Sequence, residues 1–140
     1  MSAKKKLKTG AQELGVDLSA SQVEKLLEYM EILQEWNQKI NLTAIDKPEE
    51  IVVKHFLDSL SILQSLDLSG TEKIIDIGTG AGFPGLVLKI VHPNLELTLL
   101  DSVKKKVNFL RQAAYQLELD LDTIEFIHGR AEDLARNRQH

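Results

Sequence analysis

A glycine-rich segment and an acidic residue downstream carry the strongest chemical signal in the sequence. Residues Asp76–Gly85 read Asp-Ile-Gly-Thr-Gly-Ala-Gly-Phe-Pro-Gly. Glycines let the backbone turn sharply and let a ligand approach main-chain atoms that a Cβ would shield. Asp101 follows Gly82 by about 20 residues, the spacing at which a carboxylate binds the ribose of an adenosine cofactor. The pattern predicts a nucleoside-cofactor site that includes Gly78 and Gly80, and a glycine-rich turn without a ligand is the alternative.

The charge of Asp76 distinguishes two classes of cofactor. Asp76 lies two residues before Gly78, where the pyrophosphate of a dinucleotide would meet a like charge. S-adenosylmethionine carries a sulfonium and an amino group and no phosphate, so a carboxylate favours it at this position. The sequence therefore favours a methyltransferase over an NAD(P)-dependent oxidoreductase, which stays the alternative. The same carboxylate can also cap the loop.

Three other groups of residues could do chemistry, and each also has a structural explanation. His55 and Asp58 have the spacing of a metal-binding pair, but no third ligand is near, and a hydrogen-bonded pair on a helix surface is favoured. Phe83 has no obvious packing partner in a loop, which favours contact with a ligand. Lys104–Lys106 open a predicted helix, where cations are electrostatically unfavourable. Contact with phosphate and a solvated helix start both remain open for these lysines.

Two regions must position these residues. Residues 1–70 predict helices only, because apolar residues recur every three or four positions and serines stand at capping positions before them. Residues 71–140 alternate between strands and helices, which predicts parallel strands joined by right-handed crossovers. The predicted helices cover 4–14, about 21–40, 48–63, 85–91, 103–119 and 131–136, and the predicted strands cover 73–77, 95–101 and 124–128. The fold class is α/β, with a Rossmann-like sheet behind an N-terminal helical region.

Composition excludes several classes of protein. The chain has 140 residues, 17 basic and 21 acidic side chains, a net charge of −4 and no cysteine. Without cysteine, disulfide frameworks, cysteine nucleophiles and thiolate zinc sites are excluded. No apolar run approaches the roughly 20 residues that span a bilayer, so we expect a cytoplasmic protein with no membrane segment. The acidic balance argues against bulk nucleic-acid binding but leaves room for local basic patches.

Five segments together resemble one family: Glu35–Ile45, His55–Leu60, Ile75–Gly85, Leu99–Arg111 and Gly129–Leu134. The sequence is similar to the small-subunit ribosomal RNA methyltransferase G family, also called glucose-inhibited division protein B. The glycine segment alone would indicate only a class I S-adenosylmethionine-dependent methyltransferase, whereas its combination with the two N-terminal segments is specific.

The resemblance implies an activity and assigns roles to residues. It implies transfer of a methyl group from S-adenosylmethionine to N7 of a guanine in bacterial 16S rRNA, with the small ribosomal subunit as partner and no metal. Arg130 would face the substrate and is the predicted catalytic residue. Guanine N7 has a lone pair and no proton, so we expect no general base. The glycine pattern and the resemblance together predict nine cofactor-binding residues: Asp76, Gly78, Gly80, Gly82, Phe83, Asp101, Ser102, Ala131 and Glu132.

The sequence ends earlier than the family pattern. It stops in the helix after the third predicted strand, so we expect only the strand order 3-2-1 and interpret the chain as truncated. Strand one would then lie at a sheet edge with its isoleucines underburied, which predicts that the chain either self-associates through that strand or retains the cofactor only weakly. We expect the N-terminal helices to cover the sheet face opposite the crossover helices. A non-catalytic chain that binds S-adenosylmethionine remains an alternative function.

Overall fold

The computed structural model describes residues 2–66 and 72–133 as an α/β protein. Two N-terminal helices, α1 (Ala3–Glu13) and α2 (Ala20–Asn37), precede one continuous helical segment. That segment contains α3 (Pro48–Ile51), a π-helical stretch (Val52–Leu57), α4 (Asp58–Ser61) and a 3₁₀ turn (Ile62–Gln64). The second half contains β1 (Lys73–Ile77), α5 (Gly85–Val91), β2 (Glu96–Asp101), α6 (Lys104–Gln116), a 3₁₀ turn (Leu121–Thr123) and β3 (Ile124–His128).

The sheet has the predicted topology. Its three strands are parallel in the spatial order β1-β2-β3. Residues in register across it include Asp76, Leu99 and Phe126. The carboxyl ends of all three strands therefore meet at one edge, where ligands bind in open α/β sheets. Helix α5 contacts β1 and β2, and α6 contacts β2 and β3. The predicted boundary near residue 70 and the end of the predicted last helix lie outside the described residues.

Side-chain caps define the ends of α2. The hydroxyl of Ser19 accepts a bond from the N–H of Gln22 at 3.1 Å, and the Gln22 side chain accepts one from the N–H of Ser19 at 2.9 Å. This reciprocal pair is the predicted capping box. The helix ends at Asn37, earlier than predicted, because Asn37 Oδ1 accepts the N–H groups of Leu42 and Thr43 at 2.9 and 3.0 Å. These bonds turn the chain out of the helix.

The N-terminal helices do not cover the sheet face that we expected them to cover. Helices α2 and α4 contact the crossover helix α5, and α2 also contacts the crossover helix α6. The burial of α5 fits this arrangement: its residues from Gly85 to Ile90 are all buried, Lys89 included, and a helix buried on every side must be enclosed by neighbours on both sides. On the opposite sheet face, Ile75 and Ile77 are 39% and 55% exposed.

A buried lysine joins α5 to the amino end of β3. Lys89 is 1% exposed, and its ammonium donates to the carbonyl of Pro93 at 2.6 Å, to the carbonyl of Leu95 and to the hydroxyl of Thr123 at 2.6 Å. Burial lowers the pKa of Lys89, and the three oxygens provide the hydrogen bonds that a buried cation requires. In the described part of the chain, no helix has both the length and the apolar character to cross a membrane.

Candidate cofactor site at the carboxyl ends of the strands

The segments after β1 and β3 are both bonded to the end of β2. The N–H of Gly80 donates to Asp101 Oδ2 at 2.8 Å, and the N–H of Gly78 donates to the carbonyl of Leu100 at 2.8 Å. The N–H of Gly129 donates to the carbonyl of Asp101 at 3.0 Å. The topology thus brings together the predicted residues from residues 76–85, 101–102 and 129–132.

Asp76 caps the glycine loop, which we define as residues 78–84. Its Oδ2 atom accepts the hydroxyl of Thr79 at 2.7 Å and the N–H of Gly85 at 2.9 Å. Burial raises the pKa of Asp76, the two hydrogen bonds partly oppose the rise, and the charge of Asp101 adds to it. The capping interpretation is confirmed, and it ties the end of β1 to the start of α5.

The glycines of the loop have two different roles. Gly78, Gly80 and Gly82 all have positive φ, at 69°, 58° and 98°. An added Cβ at Gly78 or Gly80 would meet no atom within 4 Å, so the backbone there borders open space. At Gly82 it would lie 2.3 Å from the hydroxyl oxygen of Tyr29 and 2.9 Å from Leu86. Gly82 is therefore a packing glycine, and the first two leave the backbone accessible to a ligand.

Asp101 is held in one orientation. It is 5% exposed, its Oδ1 accepts the N–H of Val103 at 2.9 Å, and its Oδ2 accepts the N–H of Gly80. An ionised carboxylate has about four acceptor positions, so two bonds leave capacity for hydroxyl donors. Ser102 is exposed beside it, and its carbonyl lies 3.1 Å from His128 Nε2.

The residues after β3 are exposed at the same edge. Arg130, Ala131 and Glu132 all have exposed side chains, and residues 131–133 are helical. The N–H of Arg130 donates to Asp133 Oδ2 at 3.1 Å, and the N–H of Asp133 donates to the carbonyl of Arg130 at 3.0 Å. This pair turns the chain from strand into helix and presents residues 130–132 on the surface.

Phe83 has the packing partners that the sequence did not reveal. Its ring is stacked on the His55 ring, with centroids 4.3 Å apart and planes 6° from parallel. The rings of Tyr29 and Phe56 lie 5.4 and 5.9 Å from it. The argument that Phe83 lacked a partner is therefore wrong, because residues distant in sequence supply it. Contact between Phe83 and a cofactor stays a prediction, and the ring is half-buried.

His55 bonds to a residue other than the expected one. Its Nε2 lies 2.8 Å from the Thr43 hydroxyl, and that hydroxyl also accepts the N–H of Ile45 at 3.1 Å. The expected hydrogen bond between His55 and Asp58 is not the one formed, although the charge of Asp58 acts on His55. Burial lowers the pKa of His55, and Asp58 partly offsets this. Over residues 2–66 and 72–133, no cluster of three or more His, Asp or Glu side chains could hold a metal.

Tyr29 is the site residue that sequence analysis missed. It is fully buried in α2, and its hydroxyl donates to the carbonyl of Ala81 in the glycine loop. Burial raises the pKa of Tyr29 well above its usual value, and the Asp76 charge adds to the rise. A signal existed, because Tyr29 follows Leu26 by one helical turn on the apolar stripe, and a buried tyrosine hydroxyl needs a partner.

Comparison with known proteins places the chain in a family. The family model described as "GidB: rRNA small subunit methyltransferase G" matches residues 22–140. The chain belongs to this family. The two N-terminal segments that carry the resemblance meet at His55, which bonds to Thr43 and stacks on Phe83 of the glycine loop.

Curated relatives of this methyltransferase G family agree with the match. "Ribosomal RNA small subunit methyltransferase G" of Alkaliphilus metalliredigens (strain QYMF) is 52% identical over 140 residues, which is 100% of this chain and 58% of the relative. The protein of that name from Caldanaerobacter subterraneus subsp. tengcongensis is 55% identical over 127 residues, 91% of this chain and 52% of the relative. The chain therefore spans about half the length of the curated relatives that it matches.

Proposed function

We propose that the site at the strand ends binds S-adenosylmethionine and serves methylation of guanine N7 in bacterial 16S rRNA. The observation that carries the proposal is open backbone at Gly78 and Gly80 of the glycine loop, beside two carboxylates at the strand ends, Asp76 and Asp101. The names of the curated relatives support the reaction and the substrate class. The partner would be the small ribosomal subunit in the bacterial cytoplasm, and the reaction requires no metal.

The residues present fit a cofactor that is cationic and lacks phosphate. Gly78 and Gly80 leave open space into which a Cβ would project, and both carboxylates lie beside it. Asp101, oriented by the N–H groups of Gly80 and Val103, would bind the ribose hydroxyls. The negative charge of Asp76 would attract the cationic methionine portion. We assign Ser102, Ala131 and Glu132 to the adenosine portion, because they are exposed around the same edge.

The chemistry requires orientation more than proton transfer. When bound, S-adenosylmethionine supplies a methyl group on a positively charged sulfur. The attacking N7 atom carries no proton, so the chain need not provide a general base. Its residues would hold the two reactants in line and stabilise the moving positive charge. Arg130, exposed at the same edge, would contact the substrate rather than the cofactor.

Asp76→Asn tests the charge argument directly. Both hydrogen bonds of Asp76 go to Oδ2, so an amide oxygen in that position can keep both bonds while the charge is lost. Affinity for S-adenosylmethionine should fall at least about tenfold, equal to about 1.4 kcal/mol. Affinity for S-adenosylhomocysteine, whose sulfur is neutral, should fall less. Isothermal calorimetry with both ligands measures the difference.

The matched control is Asp122→Asn, an equal charge change on an exposed residue at the opposite end of the sheet. It should leave both affinities unchanged. Equal losses for the two ligands in Asp76→Asn would contradict the role assigned to the Asp76 charge. Heat of binding from NAD or NADP, with none from either sulfur compound, would overturn the proposed cofactor and restore the oxidoreductase alternative.

A chain that binds the cofactor without turnover is the second candidate function. The chain spans 52–58% of the length of its curated relatives, so cofactor binding and methyl transfer are tested separately. Methyl transfer from labelled S-adenosylmethionine to small ribosomal subunits and to naked 16S rRNA distinguishes the two. Incorporation at guanine N7 supports the enzyme, whereas cofactor binding without incorporation supports the second candidate.

We also propose that the chain self-associates through β1. In the described sheet β1 is an edge strand, and the exposed side chains of Ile75 and Ile77 lie on one face of it. Unpaired edge groups and exposed isoleucines favour pairing with a second chain. Sedimentation velocity should show concentration-dependent association that Ile77→Lys weakens. A wild type that stays monomeric across the concentration series would remove the proposal.

A further inference from the structure

A basic cleft separates the N-terminal region from the start of α6. It has a volume of about 300 Å³, at the lower end of the range for ligand pockets. Residues 38–41, just after α2, form one wall, and Val103, Lys105 and Lys106 form the other. Lys39 adds a third ammonium group from the N-terminal wall. The sequence alone could not reveal this cleft, because its two walls are more than sixty residues apart.

The positive charge of this cleft is not neutralised by the described protein. The ion pairs found among residues 2–66 and 72–133 involve other lysines, Lys4 and Lys73. The ammonium of Lys39 lies 5.6 Å from the centroid of the Trp36 ring, a contact that leaves its charge in place. Lys105 and Lys106 lie in the first turn of α6, whose N-terminus itself disfavours cations. Lys39 and Lys105 are exposed and Lys106 is partly exposed, so their ammonium groups are available to an external anion.

The two walls are held in place close to the proposed cofactor site. The N–H of Val103 donates to Asp101 Oδ1, and Asp101 Oδ2 accepts the N–H of Gly80. The opposite wall follows Asn37, whose side chain fixes the turn by bonding two main-chain N–H groups. An anion in the cleft would therefore lie beside the cofactor cradle at a defined position.

We propose that this cleft binds the phosphate backbone of a single-stranded RNA segment that leads to the target guanine. The inference rests on the proposed function and adds a place where the RNA is held. The chain has a net charge of −4, so attraction of RNA must come from a local group of cations rather than from the whole surface. Lys39, Lys105 and Lys106 supply that group next to the site where a base would receive the methyl group.

The test is the salt dependence of RNA binding by the whole chain. The probe is a fluorescein-labelled single-stranded RNA dodecamer containing one guanine, followed by fluorescence anisotropy between 25 and 200 mM KCl, a range of about one decade. Each phosphate contact on single strands contributes about 0.7 to the slope of log affinity against log salt. The variant Lys39→Gln/Lys105→Gln/Lys106→Gln should lower the slope by about 2. Its calorimetric affinity for S-adenosylhomocysteine should not change.

A matched control removes the same charge elsewhere. Lys4→Gln/Lys5→Gln/Lys8→Gln changes three exposed lysines on α1 and should lower the slope by less than about 0.7, that is, by less than one contact. An equal effect of the two triple variants would overturn the proposal, as would absence of RNA binding by the wild type at the lowest salt. Equal competition by polyglutamate of the same charge would assign the cleft to acidic peptides and also overturn it.

The outcomes separate this inference from the proposed function. Binding of S-adenosylhomocysteine with no slope change in the cleft variant would refute the RNA cleft and leave the cofactor site supported. A slope change without binding of either sulfur compound would support the RNA cleft and refute the cofactor.

Discussion

Replacing single glycines with alanine separates packing from ligand access in the glycine loop. Gly78 and Gly82 both have positive φ, so alanine at either position incurs about 1–2 kcal/mol of backbone strain. At Gly82 the new Cβ would also lie 2.3 Å from the Tyr29 hydroxyl, 2.9 Å from Leu86 and 3.1 Å from Leu110. Such overpacking costs typically about 1–3 kcal/mol more. We expect Gly78→Ala to lose about 1–2 kcal/mol and Gly82→Ala about 2–5 kcal/mol of unfolding free energy.

Loss of cofactor affinity should not parallel the loss of stability in these variants. The Cβ added at Gly78 would project into the open space that we assign to the cofactor. The affinity of Gly78→Ala for S-adenosylhomocysteine should therefore fall at least about tenfold, or about 1.4 kcal/mol, despite its modest loss of stability. Gly15→Ala is the matched control, since Gly15 has φ +77° and also meets nothing within 4 Å. It should lose the same stability and none of the affinity.

Urea unfolding and isothermal calorimetry measure the two quantities. A difference of about 2 kcal/mol between the two loop variants corresponds to about 1 M in urea midpoint. Equal midpoints for Gly78→Ala and Gly82→Ala would refute the packing role of Gly82. Unchanged affinity in Gly78→Ala would refute the assignment of the open space to the cofactor.

Two further predictions concern the contacts between the N-terminal helices and the loop. Tyr29→Phe leaves the buried Ala81 carbonyl without its donor, so urea unfolding should show a loss of about 1–3 kcal/mol; an unchanged midpoint would contradict it. Burial lowers the pKa of His55 below its usual 6.5. Between the lowered pKa and 6.5, the folded chain therefore binds fewer protons than the unfolded chain. Stability should fall as the pH drops through this interval. His55→Phe keeps a ring against Phe83 and should flatten this fall; urea midpoints at several pH values that decline equally in both proteins would contradict it.

The local elements were predictable because their causes are local. The capping box at Ser19 and the alternation of strand and helix after residue 72 depend on residues a few positions apart. The glycine loop and Asp101 were predictable as neighbours because the carboxyl ends of parallel strands share one edge. The end of α2 was misjudged because Asn37 bonds main-chain groups beyond the helix, a contact that hydrophobic periodicity does not encode.

The amino-acid sequence by itself determined the α/β class, the strand order and the carboxylates that lie at the strand ends. Only the tertiary structure decided which face of α5 the N-terminal helices cover and which rings enclose Phe83. It also decided that Lys39 shares a cleft with the start of α6. The physical reason is that patterning reports whether a side chain must be buried or bonded, whereas its partner depends on the packing of segments distant in the chain.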